Sequence, residues 1–297
     1  MRTINFDVII LGSGIAGCTA AYHLAKEGKN VALVSSSANV WGINSARAQG
    51  GIVSEDGDGM LVSDILAAGD GKNDRAVVEE LVKLGPPLVT SFLLEELKIP
   101  FDERRTKEAA HSCSRILFSN DQTGLAIMER LLQAVSLKKE ITFVTKRRGV
   151  ELFMQDGECL GLYVLGDEGT TLFTAQATVL ATGGVGDLYA HTSNSKEAKG
   201  DGIALAADAG AELADLHYVQ FHPTSFYKPG SRSFLLTEAL RGEGGVLLNE
   251  KGEEFCDSLA PRDEVTRAIF TEIAKGSLPH VWLDVRHLAG KYLQERF

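Results

Sequence analysis

The sequence has 297 residues, 44% of them hydrophobic, so it can bury a sizeable core in one large or two ordinary domains. Its formal net charge of -10 is spread along the chain, which disfavours a nucleic-acid partner. The four cysteines are widely spaced and contain no C-x-x-C pair, which disfavours a zinc site or a disulfide framework. We therefore expect a globular protein with reduced thiols and no metal ion.

The beginning of the chain predicts a βαβ unit. Residues 6–11 form an apolar run typical of a buried parallel strand, residues 15–27 predict a helix that ends at Gly28, and residues 31–34 predict the next strand. The apolar start has no signal-peptide layout, and no other stretch approaches membrane-spanning length. We therefore expect an α/β protein located in the cytoplasm.

A G-x-G-x-x-G motif occupies residues 12–17, between the first strand and the helix. Bare backbone at such a turn lets a pyrophosphate approach the helix N-terminus. A glycine turn that binds nothing is the alternative. Ser35 and Ser36 stand where an NAD-binding fold places an acid to hold the ribose. The motif therefore predicts a dinucleotide site and disfavours NAD.

The middle of the chain changes from helical to strand patterns. Residues 61–135 are mainly helical in pattern, with a break at 85–87 and a polar stretch at 102–114 that predicts a loop. An apolar strand at 177–180 then returns to the main sheet. Before it, four short strands predict a small antiparallel meander: 141–144, 149–154, 159–165 and 171–175.

A second glycine cluster, at residues 181–184, directly follows that apolar strand. Together with the first motif and the inserted meander, it resembles the two-dinucleotide-loop layout of FAD-binding flavoproteins. A helix is expected at 200–209, and another near 263–275. After residue 215 the sequence pattern changes to one of short strands and turns, so we predict a first domain at 1–215 and a second at 216–297.

Six motifs follow one another along the chain. They are A-Q-G-G at 48–51, H-S-C-S-R-I-L at 111–117, G-D-G at 200–202, Q-F-H-P-T at 220–224, T-E-A-L-R-G-E-G at 237–244 and A-P-R-D at 260–263. In type and in order they resemble the succinate dehydrogenase, fumarate reductase and L-aspartate oxidase family. The resemblance implies an α/β fold, in which a Rossmann-like FAD-binding domain with an inserted small β meander precedes an incomplete α+β capping domain.

The resemblance also implies FAD as a cofactor. Asn44 stands where the dehydrogenase subunits carry their flavin-linking histidine, so we expect the flavin to be held without a covalent bond. The residues expected to contact FAD are Gly12, Ser13, Gly14, Ile15, Ala16, Gly17, Ser36, Asn44, Ser45, Ala46, Arg47, Ala48, Gln49, Gly50, Gly51 and Asp201.

A dicarboxylate site is implied near the end of the chain. By resemblance, Arg262 is the proton-transferring group and is linked to solvent through Glu238 and Arg241. A guanidinium matches a carboxylate with two parallel hydrogen bonds, but it stays protonated at working pH, so its chemistry favours a charge clamp over a base. The residues implied to line the substrate site are His222, Thr224 and Thr237.

The alternative for Arg241 and Arg262 is that each forms an ion pair at the protein surface and has no role in a site. Arg241 and Arg262 each have an acid close in sequence, Glu243 and Asp263 respectively. Exposed ion pairs of this kind contribute little to stability. The joint presence of the motifs in family order disfavours this alternative.

Glu108 carries the choice of substrate. It occupies the position that in L-aspartate oxidases resembles the acid facing the substrate amino group, and a carboxylate there attracts an ammonium and repels an unsubstituted dicarboxylate. Ala109 and Ala110 replace the glycines usual in the family, and Cys113 replaces its second histidine. A solvated loop glutamate is the alternative.

The resemblance thus implies FAD-dependent oxidation of L-aspartate to iminoaspartate for pyridine nucleotide (NAD) biosynthesis, with oxygen or fumarate as electron acceptor and quinolinate synthase as pathway partner. The alternatives are a fumarate reductase or succinate dehydrogenase flavoprotein subunit, or a truncated chain that binds flavin without turnover. Family members continue beyond residue 297 and supply a further histidine and arginine, so we expect poor turnover from this chain alone.

Overall fold

The structure is a computed structural model that describes residues 1–39, 42–107, 111–288, 290–291 and 293. Its strands are β1 (Arg2–Asn5), β2 (Val8–Leu11), β3 (Val31–Val34), β4 (Ile52–Val53), β5 (Ile116–Leu117), β6 (Ile141–Val144), β7 (Arg148–Gln155), β8 (Glu158–Gly166), β9 (Gly169–Thr174), β10 (Ala177–Leu180), β11 (Val246–Leu248) and β12 (Trp282–Asp284). Its α-helices are α1 (Ile15–Lys26), α2 (Asn44–Arg47), α3 (Leu61–Ala68), α4 (Arg75–Leu88), α5 (Thr123–Ser136), α6 (Asp201–Asp208), α7 (Ala239–Gly242) and α8 (Arg262–Lys275). The described residues also include a π-helix, Val89–Glu96, and a 3-10 helix, Gly186–Leu188.

The contacts between residues divide the chain into two compact units. The first unit contains Met1–Ala48 and Gly124–His217, and the second contains Gln49–Thr123 and Tyr218–Phe297. Both units are therefore discontinuous in sequence. The sequence-based division into domains at 1–215 and 216–297 stays a prediction.

A parallel sheet with the strand order β10-β2-β3-β6 forms the centre of the first unit. Every residue of β2 and β3 is buried, as expected for parallel strands covered on both faces. Helix α1 connects these strands, and Gly28 follows its end with a positive φ of 75°, a conformation that favours glycine. The predicted βαβ unit is confirmed.

The second sheet of the first unit has the order β1-β9-β8-β7, in which β7, β8 and β9 are antiparallel. The prediction that residues 141–144 belong to this meander is wrong. They form β6, which pairs in parallel with β3. Helix α5 precedes β6 and belongs to the connection from β3, so that β6 runs in the same direction as β3. Helical crossover connections of this kind join parallel strands. Strand β1, which the sequence did not predict, joins the second sheet beside β9.

The described residues of the second unit form helices and two small antiparallel ladders. The ladders are β4-β5 and β11-β12. Helix α8 packs its buried Val265 and Ile269 with Leu247 of β11. Helix α4 begins after Asp74, whose carboxylate accepts hydrogen bonds from the amides of Ala76 at 2.8 Å and Val77 at 3.4 Å.

The predicted helix break at residues 85–87 is not observed. Helix α4 runs through Pro86 and Pro87 and ends at Leu88. Proline removes a backbone donor from the helical ladder. Directly after the two prolines, the hydrogen-bonding pattern widens to that of the π-helix Val89–Glu96.

Within the described ranges, no helix combines the length and the apolar character needed to cross a membrane. The four cysteines are free thiols. No group of His, Cys, Asp and Glu side chains among the described residues is arranged to hold a metal ion.

Candidate functional site

A cavity of about 700 Å³ lies in the first unit, at the carboxyl ends of β2, β3 and β10. Pockets that bind cofactors or other small molecules have volumes of roughly 300–1,000 Å³. In open α/β sheets, ligands bind at this edge of the sheet. The position and size of the cavity therefore suit a dinucleotide.

The glycines of the G-x-G-x-x-G motif make this cavity possible. Gly12 has a φ of 113°, and a Cβ added there would overlap the carbonyl of Ala181. A Cβ at Gly17 would overlap the carbonyl of Gly12. Gly14 precedes helix α1 without a side-chain cap. The turn between β2 and α1 is thus packed closely against the carbonyl groups around it. At the N-terminus of α1, backbone without a side-chain cap lines the cavity, where a pyrophosphate can approach the amide groups.

Two hydroxyl contacts fix the same turn. Ser13 donates a hydrogen bond to the hydroxyl oxygen of Ser35 at 2.7 Å. The amide of Ile15 donates to Oγ of Ser45 at 3.1 Å. Ser45 belongs to α2, so this short helix is joined to the beginning of α1.

Both the nitrogen and the oxygen of the Asn44 side-chain amide form hydrogen bonds within the first unit. Its Nδ2 donates to Oδ1 of Asn194 at 2.8 Å, and its Oδ1 accepts a hydrogen bond from the amide of Ser195 at 2.7 Å. An amide side chain has no nucleophilic nitrogen of the imidazole type. This geometry fits a flavin held without a covalent bond.

Many of the residues predicted to contact the cofactor line the cavity: Gly12, Ser13, Gly14, Ile15, Ala16, Ser36, Asn44, Ser45 and Asp201. Other predicted residues are not among those that line it: Gly17, Ala46, Arg47 and Ala48. Gln49, Gly50 and Gly51 belong to the second unit. The role of all these residues as contacts of the cofactor stays a prediction.

The motifs did not predict several residues that line the cavity, among them Ser37, Arg147 and Arg148. Arg148 donates from Nε to Oδ2 of Asp201 at 2.7 Å and from Nη2 to Oδ1 at 2.9 Å. Residues just beyond a parallel strand lie at the ligand-binding edge of the sheet. Recognising residues 141–144 as a parallel strand would therefore have indicated both arginines.

A second cluster of predicted site residues lies in the second unit. Arg262, the first residue of α8, donates from Nε to Oε2 of Glu238 at 2.6 Å and from Nη1 to Oε1 of Gln220 at 2.9 Å. Nη2 of Arg241 lies 3.6 Å from the same Glu238 oxygen. One carboxylate thus lies between two guanidinium groups, so the cluster keeps an excess of positive charge that suits an anionic ligand.

Arg241 is the buried member of this cluster. Its side chain is 1% exposed, and its Nη1 donates to the carbonyl of Ser258 at 2.5 Å. Arg262 is 34% exposed and pairs with Glu238, whereas Asp263 pairs with Arg267. The alternative of two surface pairs with neighbouring acids is therefore wrong.

His222 lies beside the same charges. Burial, together with the positive charge of Arg262, lowers the pKa of His222 to about 4. Its Nδ1 accepts a hydrogen bond from the amide of Thr224 at 3.3 Å. The neutral ring therefore carries its proton on Nε2. His222 is a neutral donor at pH 7.

The buried Thr224 connects the segments that carry these side chains, and the buried Thr237 makes a local contact within its own segment. Oγ1 of Thr224 donates to the carbonyl of Leu236 at 2.9 Å, and Oγ1 of Thr237 accepts a hydrogen bond from the amide of Ala239 at 3.4 Å. An antiparallel bridge joins Ser225 to Leu235. The structure thus holds together the segments with the motifs Q-F-H-P-T and T-E-A-L-R-G.

Glu108 lies outside the described residues. Arg115, which lies further along the chain, has a fully buried side chain that contacts the carboxylates of Asp56 at 3.1 Å, Asp58 at 2.8 Å and Asp64 at 3.1 Å. Sequence reasoning did not predict this ion cluster, because its members come from three separate parts of the chain.

Comparison with known proteins agrees with these observations. The family described as FAD binding domain matches residues 7–297. The L-aspartate oxidase of Halobacterium salinarum is 39% identical over 95% of this chain and 58% of its own length. L-aspartate oxidase 1 of Ralstonia nicotianae is 38% identical, with 99% and 59% covered. The L-aspartate oxidase of Clostridium acetobutylicum is 33% identical, with 99% and 69% covered.

Solved structures show the same relationship. A variant of E. coli quinol fumarate reductase has a TM-score of 0.88 and 29% identity, covering all of this chain and 56% of that one. A quinol-fumarate reductase with menaquinol molecules has a TM-score of 0.90 and 30% identity, with 100% and 57% covered. The chain spans somewhat more than half the length of these proteins and of the first two relatives. It therefore has the mixed α/β fold of the fumarate reductase flavoproteins, belongs to the FAD binding domain family among the relatives of the L-aspartate oxidases, and takes FAD as its cofactor.

Proposed function

We propose that the protein to which this chain belongs oxidises L-aspartate to iminoaspartate with FAD, in the biosynthesis of NAD. The observation that carries the proposal is the cluster of Arg262, Glu238, Arg241 and His222, which has the charge and the donors for a small dicarboxylate. The names of the relatives, L-aspartate oxidases from several organisms, support the choice of substrate.

Arg262 binds one substrate carboxylate in this proposal. Its contacts with Glu238 and Gln220 use Nε and Nη1, and neither uses Nη2. Those contacts fix the plane of the guanidinium, which determines the direction of its remaining donors. A permanently protonated group is a poor general base. Arg262 therefore acts as a charge clamp.

His222 supplies a second donor to the substrate. Its Nε2 proton is available to a carboxylate oxygen because Nδ1 is occupied by the amide of Thr224. As a neutral group it adds a hydrogen bond without adding a charge, while Arg241 supplies long-range positive charge from below the surface. Together these groups orient the substrate so that its Cα–H bond is held in one position.

The oxidation removes a hydride from Cα and a proton from the α-ammonium group, and the carbon–nitrogen double bond of iminoaspartate forms. FAD supplies the hydride acceptor when it is bound. Oxygen or fumarate then takes the two electrons, which gives hydrogen peroxide or succinate.

The finer assignment of domains belongs to the same proposal. We assign residues 1–215 to a Rossmann-like FAD-binding domain, which the parallel sheet and its glycine turn support. The antiparallel strands β7, β8 and β9 are its inserted meander. Residues 216–297 are part of an α+β capping domain. We place the enzyme in the cytoplasm, with quinolinate synthase as the next enzyme of the pathway.

A fumarate reductase or succinate dehydrogenase subunit is the second candidate. The observation that favours it is the similarity to solved fumarate reductases. The cluster around Arg262 suits either substrate, because both are dicarboxylates. Glu108 distinguishes the two candidates, since a carboxylate beside the substrate favours the ammonium group of aspartate.

Anaerobic reduction of the bound flavin tests the proposal. L-aspartate should bleach the flavin absorbance, whereas succinate at the same concentration should bleach it much more slowly. D-aspartate serves as a control for the geometry of the site. Bleaching by succinate alone would support the second candidate, and no bleaching by either compound would support a flavin-binding chain without turnover.

A further inference from the structure

The end of strand β3 lacks the acid that commonly holds the ribose of a bound dinucleotide. Ser35 and Ser36 stand at this position. Ser35 is 4% exposed, and its hydroxyl oxygen accepts hydrogen bonds from Ser13 at 2.7 Å and from the amide of Ser37 at 3.2 Å. Ser35 is therefore engaged within the protein, and its hydroxyl is not available to the adenosine ribose.

Arg148 lies at the same end of the sheet. The amide of Ser35 donates to the carbonyl of Val144 at 2.8 Å, and the amide of Arg147 donates to the carbonyl of Ser35 at 3.0 Å. These bonds hold the turn before Arg148 against the end of β3. Arg148 and Ser36 both line the 700 Å³ cavity. Arg148 thus lines the cavity at the edge of the sheet where a ribose-binding acid is commonly found.

Asp201 fixes the Arg148 guanidinium. Its carboxylate accepts hydrogen bonds from Nε at 2.7 Å and from Nη2 at 2.9 Å, and neither bond uses Nη1. The side chains of Arg148 and Asp201 are 42% and 32% exposed, and both line the cavity. A two-point contact of this kind orients the guanidinium plane. Nη1 therefore remains as an oriented donor at the cavity wall.

The charge of the pair indicates which ligand it suits. A free arginine near this strand end accommodates the 2′-phosphate of NADP. Here the carboxylate of Asp201 balances the guanidinium. The other charged residues of the cavity wall, Arg147, Glu197 and Glu212, add one positive and two negative charges, so the wall keeps an excess of negative charge. An additional phosphate would be repelled. A ribose with free hydroxyl groups, as in FAD, fits this environment.

We propose that Arg148 binds a ribose hydroxyl of the adenosine half of FAD through Nη1, in place of the missing acid, and that Asp201 positions Arg148 and selects against a 2′-phosphate. The proposal rests on FAD as the cofactor and is independent of the substrate oxidised. Asp201 thereby acts through Arg148, whereas the sequence implied that Asp201 contacts FAD itself.

Binding to the flavin-free protein tests the role of Arg148. Titration calorimetry with FAD, ADP and the 2′-deoxy and 3′-deoxy forms of ADP should show that wild type binds one deoxy form about tenfold more weakly than ADP, the effect of one charge-assisted hydrogen bond. Arg148→Met should weaken FAD and ADP by the same factor and should no longer distinguish the deoxy forms. Arg75→Met, which removes an exposed arginine of the second unit, is the matched control and should bind all ligands as wild type does.

Asp201→Asn tests the positioning role. It should weaken ADP severalfold, while it strengthens adenosine 2′,5′-bisphosphate relative to ADP, because the arginine is no longer balanced. A merely structural role would weaken both ligands equally. Arg148→Lys provides a second variant that keeps the charge, and it too should lose the discrimination between ADP and its deoxy form.

Three results would overturn the proposal. The first is wild-type affinity for ADP in Arg148→Met. The second is a loss of FAD affinity without a loss of ADP affinity, which would place Arg148 at the flavin half. The third is an altered melting temperature of the flavin-free variants with the deoxy discrimination retained, which would assign the pair a structural role.

Discussion

Glu238 accepts a hydrogen bond from Nε of Arg262 at 2.6 Å, and this bond joins two motifs that lie far apart in the sequence. The same carboxylate oxygen lies 3.6 Å from the buried Arg241. Glu238 therefore holds the exposed guanidinium in place and balances part of the charge of the buried one.

In the full-length protein to which this chain belongs, replacement of Arg262 by lysine should remove most of the activity and leave flavin binding intact. A lysine ammonium carries the charge but cannot contact Glu238, Gln220 and a substrate carboxylate in one plane. We expect a decrease in kcat/KM of about 10- to 100-fold, the effect of one charge-assisted hydrogen bond. Arg267→Lys on the exposed side of the same helix is the control, and equal activity in the two variants would remove Arg262 from the site.

Glu238→Gln should destabilise the protein. The change leaves Arg241, whose side chain is 1% exposed, without a nearby negative charge. The expected loss is about 1 to 3 kcal/mol in the free energy of unfolding. Urea denaturation measures it, with the exposed Glu254→Gln as the control. Equal stability of the two variants would show that Glu238 contributes only to the site.

The pKa of His222 makes stability depend on pH. Because burial beside Arg262 lowers this pKa to about 4, against a usual value of 6.5, the unfolded chain binds the proton more readily than the folded one. Stability from this group is therefore fully present above pH 6.5 and is lost as the pH falls from 6.5 to 4. The difference in urea midpoints between wild type and His222→Gln should narrow or reverse over this range. A His222 resonance that titrates near pH 6.5 would contradict the assignment.

The flavin should be released by acid precipitation. Asn44 replaces the flavin-linking histidine, and both ends of its amide are bound to Asn194 and Ser195. The supernatant should contain all of the flavin, measured by its absorbance. Flavin that remains with the precipitated protein would show a covalent link at another residue.

Glu108→Gln should change the choice of substrate. The glutamine keeps the shape and removes the charge, so it should weaken oxidation of aspartate and relieve the repulsion of succinate. The ratio of the two kcat/KM values should change by roughly 10- to 100-fold, the contribution of one charge-assisted hydrogen bond. Glu103→Gln in the same polar loop is the control. An unchanged ratio in Glu108→Gln would make Glu108 a solvated loop residue.

Local patterns predicted much of the fold. Strand β2, the glycine turn that follows it and helix α1 were predicted because their signals lie within a few neighbouring residues. Helices α6 and α8 were predicted for the same reason. Strand β6 was assigned to the wrong sheet, because a four-residue apolar segment carries no mark of its partner, and here the partner is β3.

The contacts that complete the sites could not be predicted in this way. Arg148 and Asp201 are 53 positions apart, and Arg115 lies 59 positions from Asp56. Such pairs depend on how the chain folds back on itself. The motifs did indicate Arg262 and Glu238, but the bond between them follows from the position of α8 beside the segment that precedes α7.

The rate of anaerobic flavin reduction by L-aspartate tests the central claim most directly, when it is measured with ordinary substrate and with substrate deuterated at Cα. The claim predicts that L-aspartate reduces the flavin, that deuteration slows this reduction because the Cα–H bond breaks in that step, and that iminoaspartate forms in equal amount. Reduction by succinate but not by L-aspartate would contradict it.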